Sequence, residues 1–288
     1  MKYLSKESFE KAKKWILDNG RPLEKARLHF YFGGRDEKAI LQELKKFQNK
    51  DGGFGHALEP DLRTPDSSVL ATSLAFQISR SLSSAVQYLL NNYDTNVSSW
   101  RIIPETAENY PHAPWWNQLN REDYFSGFHL NPTAEILGYL PKFDSELGEM
   151  ILRKLKNLEE IEMHDFLCCK RLSESKILPE NFQQSLILEL DRLLSTCVVT
   201  DSSKWSGYGL RPIQVADSPD SIYLIKLQKS VEENLDYEID HQDDSGVWLP
   251  VWTWQGEFPD EWETAKKEWT GIITLEKLLI LKRFGRIA

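Results

Sequence analysis

The sequence predicts an all-α fold of about eleven or twelve helices joined by irregular aromatic-rich loops. Three observations predict its helical class. Apolar residues recur at helical spacing, as in Ile40, Leu41, Leu44 and Phe47, with lysines and glutamates opposite. Helix-start and helix-stop residues punctuate those stretches, and no run alternates as a half-buried strand does. A glycine turn followed by a helix start occurs in each half of the chain, the mark of stacked helical units.

In chain order, Ser5 or Ser8 can cap a helix over about 6–18 that stops at Asn19-Gly20. Pro22 suits the first turn of a second helix, closed by Gly33-Gly34. A third runs over about 36–48. After the glycine turn, Asp66 or Ser67 is read as the cap of a helix over about 67–80. Its small residues allow close approach of neighbours. Ser83-Ser84 starts another, ending near Asn91-Asn92. Residues 93–130 are a long irregular connection whose aromatics argue against disorder. Asn131-Pro132 opens a helix to about Leu140. Others are expected at about 144–158, 161–172, 180–198, 219–235 and 270–284, with an irregular tryptophan-rich stretch over 241–269.

The chain has 288 residues, enough to bury a sizeable core, and the composition is globular, with 41% hydrophobic and 27% charged residues. It is read as one domain, 1–288, in which about 48–80 is related to 202–234. A net charge of −9 without a basic stripe argues against nucleic acid as a partner. The N-terminus mixes charges from its first residues, and no apolar stretch is long enough for a membrane span. Three cysteines, two of them adjacent, provide neither a disulfide framework nor a zinc spacing. A cytoplasmic protein with free thiols is the expectation.

The repeat separates scaffold from candidate site. GFG at 53–55 and PDSS at 65–68 are displaced from GYG at 207–209 and PDSI at 219–222 by the same distance. Glycines in both copies permit tight turns, and Asp66 and Asp220 are read as helix caps. At that displacement His56, Glu59, Asp61 and Arg63 face Leu210, Ile213, Val215 and Asp217. The repeat therefore does not account for these four ionisable groups. Two carboxylates beside an arginine and a histidine can divide roles, a desolvated one donating a proton and an ion-paired one staying charged. Glu59 and Asp61 are thus the candidate catalytic pair, with His56 and Arg63 beside the substrate. The plain alternative is a loop whose charges fix its own shape.

LQELKKFQNKDGGFG resembles the QW-type repeats of terpenoid (squalene-type) cyclases and of protein prenyltransferase β-subunits. HQDDSGVW at 241–248 is similar, and WSGYG at 205–209 is a weaker copy. The resemblance implies a single toroid of inner and outer helices around a central cavity. The catalytic strings of those families do not accompany it. No D-x-D-D occurs; Asp243-Asp244 does not continue as DDxxD; and Asp220-Ser221-Ile222-Tyr223 has Ile222 where a zinc-binding cysteine would stand.

A second candidate set is aromatic: Tyr110, His112, Trp115 and Trp116 in one loop, Trp248, Trp252 and Trp254 in another. Such walls suit a carbocation, a prenyl chain or a sugar face; equally, large rings can plug the ends of a toroid. His56, Glu59, Asp61, His112 and His129 have no ligand spacing, so neither metal nor cofactor is expected. Three functions compete. An enzyme could act on a small apolar or ring-bearing, isoprenoid-like substrate through Glu59 and Asp61, the form that the resemblance implies. A carbohydrate hydrolase or lyase would show carboxylates across an open, wet cleft. A non-catalytic toroid would bind a small-molecule ligand or serve as a scaffold.

Overall fold

The computed structural model describes residues 1–34, 36–119, 121, 125 and 127–288. Among these there are twelve α-helices and no strands, only isolated bridges, so the all-α expectation holds. The helices are α1 Lys6–Asn19, α2 Pro22–Gly33, α3 Lys38–Leu44, α4 Val69–Ile78, α5 Ser83–Asn91 and α6 Leu130–Leu137. They continue as α7 Ser145–Lys156, α8 Met163–Ser173, α9 Glu180–Cys197, α10 Pro212–Val215, α11 Leu224–Asp240 and α12 Pro259–Arg283. No helix among the described residues is long and apolar enough to cross a membrane. Part of the irregular connection expected over 93–130, namely Asn120, Glu122 to Tyr124 and Ser126, lies outside the described residues.

Tertiary contacts group the chain into two compact units, one of residues 1–46 with 198–288 and one of 47–197. In the first, α1 packs on α2 and α12, α2 on α3 and α12, and α10 on α11. Ser5 caps α1 by accepting from the Ser8 N–H at 3.0 Å, and Ala12 and Ile16, four residues apart, are buried on one face. Pro22 opens α2, and Gly34, at φ +66, closes it. The ends of the chain meet: Leu4 donates its N–H to the Arg286 carbonyl at 2.8 Å, and Ala288 donates to Leu4 at 3.0 Å. Arg286, 3% exposed, is paired with Glu232 and Asp236.

In the second unit α8 is the central helix, packed on α6 and α9, while α7 packs on α6 and α9, and α4 on α5 and α6. Asp144 caps α7, and Arg153, Lys154 and Lys156 sit in its last turn, where cations favour the negative end of the helix dipole. Buried Glu135 on α6 is satisfied by Arg171 of α8 at 2.8 Å and by Gln77 of α4. One carboxylate thus ties three helices together, and its burial is tolerable because of those donors.

Three sequence expectations change. The stretch over 241–269 is irregular only to Phe258, because Pro259 at the first turn, with Asp260 and Glu261 beside it, starts α12 there. Trp262 and Trp269 are therefore helical. Asp66 and Asp220 are not caps: Ser68 caps α4, accepting from the Ala71 N–H at 3.0 Å, and Tyr223 precedes α11 without a side-chain cap. The hydrogen-bond scheme of the turn at 48–54 recurs at 242–248 rather than at 205–209. Gln48 and Gln242 each donate a side-chain amide to a glycine carbonyl, Gly52 and Gly246, at 2.8 Å. Those glycines have φ of +91 and +90, a region open mainly to glycine. The following aromatic N–H groups, Phe54 and Trp248, then donate to a threonine on the next helix, Thr72 at 3.0 Å and Thr274 at 3.2 Å.

Candidate functional site

The glycine turn positions a polar cavity within the second unit. Gln48 reaches past Gly52 to the Ser84 hydroxyl on α5, at 2.9 Å. A Cβ on Gly52 would lie 2.3 Å from the Ser84 carbonyl oxygen, and one on Gly53 would lie 2.7 Å from the Tyr88 ring. Two glycines thus let α5 approach the turn closely and bring the Tyr88 ring against Gly53. Asp51, at the tip, accepts from the Gly53 N–H at 2.9 Å and from the Ser67 hydroxyl at 2.8 Å. Asn49 donates to the Pro65 carbonyl and to Ser67, and its oxygen meets His56 Nε2 at 2.9 Å.

The cavity measures about 390 Å³ and is lined chiefly by polar groups, among them Asn49, Asp51, Asp66, Tyr88, Arg101 and Thr106. Such a volume suits a small ligand, near the lower end of the usual range for binding sites. Thr106 donates its hydroxyl to Asp66 at 2.5 Å. Arg101 donates to the Ile103 carbonyl at 3.0 Å and to Gln118 at 2.6 Å, with Glu105 3.7 Å away. Tyr88 is 6% exposed, and its hydroxyl makes no hydrogen bond among the described residues. Burial, and secondarily the negative charge of Asp51, holds its phenol well above the ordinary tyrosine range.

Beyond the turn, residues 56–64 form a tight loop, buried over 57–62 and at Thr64, with His56 exposed and Arg63 half-buried. His56 and Ala57 both have positive φ, 54 and 58, and the His56 N–H donates to the Thr64 carbonyl. The loop pairs with 110–113 through the Leu62–His112 bridge; Ala113 donates to Asp61 and Arg63 to Pro111, backbone to backbone. Glu59, Asp61 and His112 are buried, at 7%, 3% and 3% exposure, in this pair of segments. The His112 ring lies 2.6 Å from the Tyr110 carbonyl and 2.7 Å from the Asn117 side-chain oxygen, contacts that hold its orientation. Arg63 donates to the Pro60 carbonyl. Trp116 packs on the apolar cluster of Leu62, Ile102, Ile103, Ala107 and Phe125, and half-buried Trp115 stands beside it in the chain.

The cavity is thus lined by other residues than those that the sequence singles out. None of Glu59, Asp61, Arg63, His112, Trp115 and Trp116 lines it; His56 reaches it only through Asn49. Trp252 and Trp254 belong to the first unit. There Trp252 meets Trp269 edge-on at 5.2 Å and Tyr208 at 6.0 Å, and Trp254, fully buried, packs on Trp262 at 5.9 Å. Sequence reasoning missed Asp51, Tyr88, Arg101 and Thr106. The one signal was Asp51 in the turn; the rest come from a helix and a loop that only folding brings alongside. Among the described residues no group of three or more His, Cys, Asp or Glu could hold a metal ion. Compared with protein-family models, with curated proteins and with solved structures, the chain matches none.

Proposed function

We propose that the protein binds a small polyhydroxylated ligand of the carbohydrate class in the cavity beside the glycine turn. The carrying observation is the composition of that lining: two carboxylates, side-chain amides, hydroxyls and a guanidinium around about 390 Å³. Hydroxyl-rich ligands need donors and acceptors fixed in advance, and side chains already tied into the turn provide them. An isoprenoid would leave these polar groups without partners. The toroidal arrangement of helices that the QW-type resemblance implies is part of this reading, supported by the shared hydrogen-bond scheme of the turns at 48–54 and 242–248. Ligand-observed NMR with a panel of mono- and disaccharides tests it. Binding should be weakened by Thr106→Val and by Asp66→Asn. Binding of a prenyl alcohol but of no sugar overturns it.

Carboxylate acid–base chemistry at Glu59 and Asp61 is the second reading. The observation that favours it is the burial of both carboxylates within one short loop. In that reading His56, Arg63, His112, Trp115 and Trp116 hold an isoprenoid-like substrate. Glu59→Gln and Asp61→Asn, checked for retained fold, should then abolish turnover and leave substrate binding in place.

A further inference from the structure

We propose that the ligand of the cavity beside the glycine turn carries an ammonium group, as an amino sugar does. This rests on the reading of that cavity as a ligand site and names the feature that the site selects.

The charges decide it. Asp51 and Asp66 both line the cavity, and each is met only by neutral donors: Gly53 and Ser67 on Asp51, Thr106 on Asp66. Neither has a lysine, arginine or histidine partner among the described residues. Arg101, the cation in the lining, is turned to other acceptors, Ile103 and Gln118, with Glu105 nearby. The start of α4 also borders the cavity, and a helix N-terminus ordinarily favours an anion. Here three of its N–H groups are already taken: Leu70 donates to the Ile102 carbonyl, Ala71 to the Ser68 hydroxyl and Thr72 to the Ser68 carbonyl. The lining therefore sets two carboxylates against one guanidinium, which leaves it net negative.

An independent observation points to the same occupant. Tyr88, more than nine-tenths buried, lines the cavity, and no described residue engages its hydroxyl. A phenol ring and two carboxylates together form the usual surroundings of a bound amine, through charge-assisted hydrogen bonds and the negative face of the ring. A hydroxyl elsewhere on the same ligand would meet Tyr88, Asn49 or Ser67.

Calorimetric titration of the full chain with glucose, glucosamine and putrescine tests this. Glucosamine should bind at least about tenfold tighter than glucose, the change expected for one charge-assisted contact. Raising sodium chloride should weaken glucosamine and leave glucose unaffected, a readout that needs no variant. Asp51→Asn and Asp66→Asn keep an acceptor oxygen in place and should reduce the preference to near unity. Equal affinity for the two sugars overturns the ammonium inference and leaves the sugar site standing. Salt-sensitive, Asp66-dependent binding of putrescine alone supports the ammonium inference with an aliphatic amine as its source, and overturns the sugar. Binding of none of the three overturns both.

Discussion

The side-chain amide of Gln48 donates to the carbonyl oxygen of Gly52 at 2.8 Å, closing the turn on which the second unit's cavity is built. Removing the clamp should destabilise the protein. Gln48→Ala loses this bond and the one to Ser84, about 1–2 kcal/mol. Gly52→Ala should cost more, about 3 kcal/mol or greater, because a φ of +91 disfavours alanine and its Cβ would strike the Ser84 carbonyl. Urea unfolding measures both, and a smaller loss for Gly52→Ala would contradict the close approach of α5.

Capping of α4 by serine makes a second prediction. Ser68→Ala should cost about 1 kcal/mol, whereas Asp220→Ala should change stability by less than about 0.5 kcal/mol. Equal losses at the two positions would restore Asp220 as a cap.

A buried charge cluster in the first unit carries a pH dependence. Glu238, 4% exposed, accepts from Lys277 at 2.6 Å, from Arg211 at 3.3 Å and from Asn234 at 3.2 Å. Glu238→Gln leaves two enclosed cations without their carboxylate and should cost about 3–5 kcal/mol. Burial lowers the Lys277 proton affinity below the ordinary lysine value of 10.5, although Glu238 opposes the shift. Between the lowered value and 10.5 the unfolded chain binds more protons than the folded one, so this lysine's contribution to stability rises with pH. Lys277→Met should flatten that rise in urea unfolding measured towards pH 10.5.

The thiols should be slow to react. Cys168 and Cys169 are buried, and burial pushes both well above the usual thiol range; Cys197, half-buried, is raised to about 12. A chromogenic disulfide reagent at pH 8 should label none of them quickly in the native protein and all three in urea. Cys197 should be the first to react as denaturant is added. Rapid native labelling of Cys168 would show that α8 opens.

Much of the helical layout was legible. Ser5, Pro22 and Gly34 act where their chemistry indicates, since caps and breakers work within one or two turns of the chain. The start of α12 was hidden by its tryptophans, although Pro259, Asp260 and Glu261 marked it. Asp66 illustrates the opposite case. It stands two residues before the true cap and instead meets Thr106, forty positions away, a partner that no local signal announces. The charged loop at 56–63 stood out in the sequence only because the repeat did not account for its four ionisable groups. Its burial was legible only in outline, because that depends on the pairing with 110–113.

By itself, then, the sequence determined the helical class and the helix ends set by local signals at Ser5, Pro22 and Gly34, because each rests on backbone conformation within a few residues. Tertiary structure decided which polar groups share a cavity. Asp51 and Asp66 come from the turn and its exit, Tyr88 from α5, and Arg101 and Thr106 from the loop that follows. Their meeting depends on Gly52 and Gly53 allowing α5 to close on the turn, and packing of that kind leaves no periodic trace in the chain.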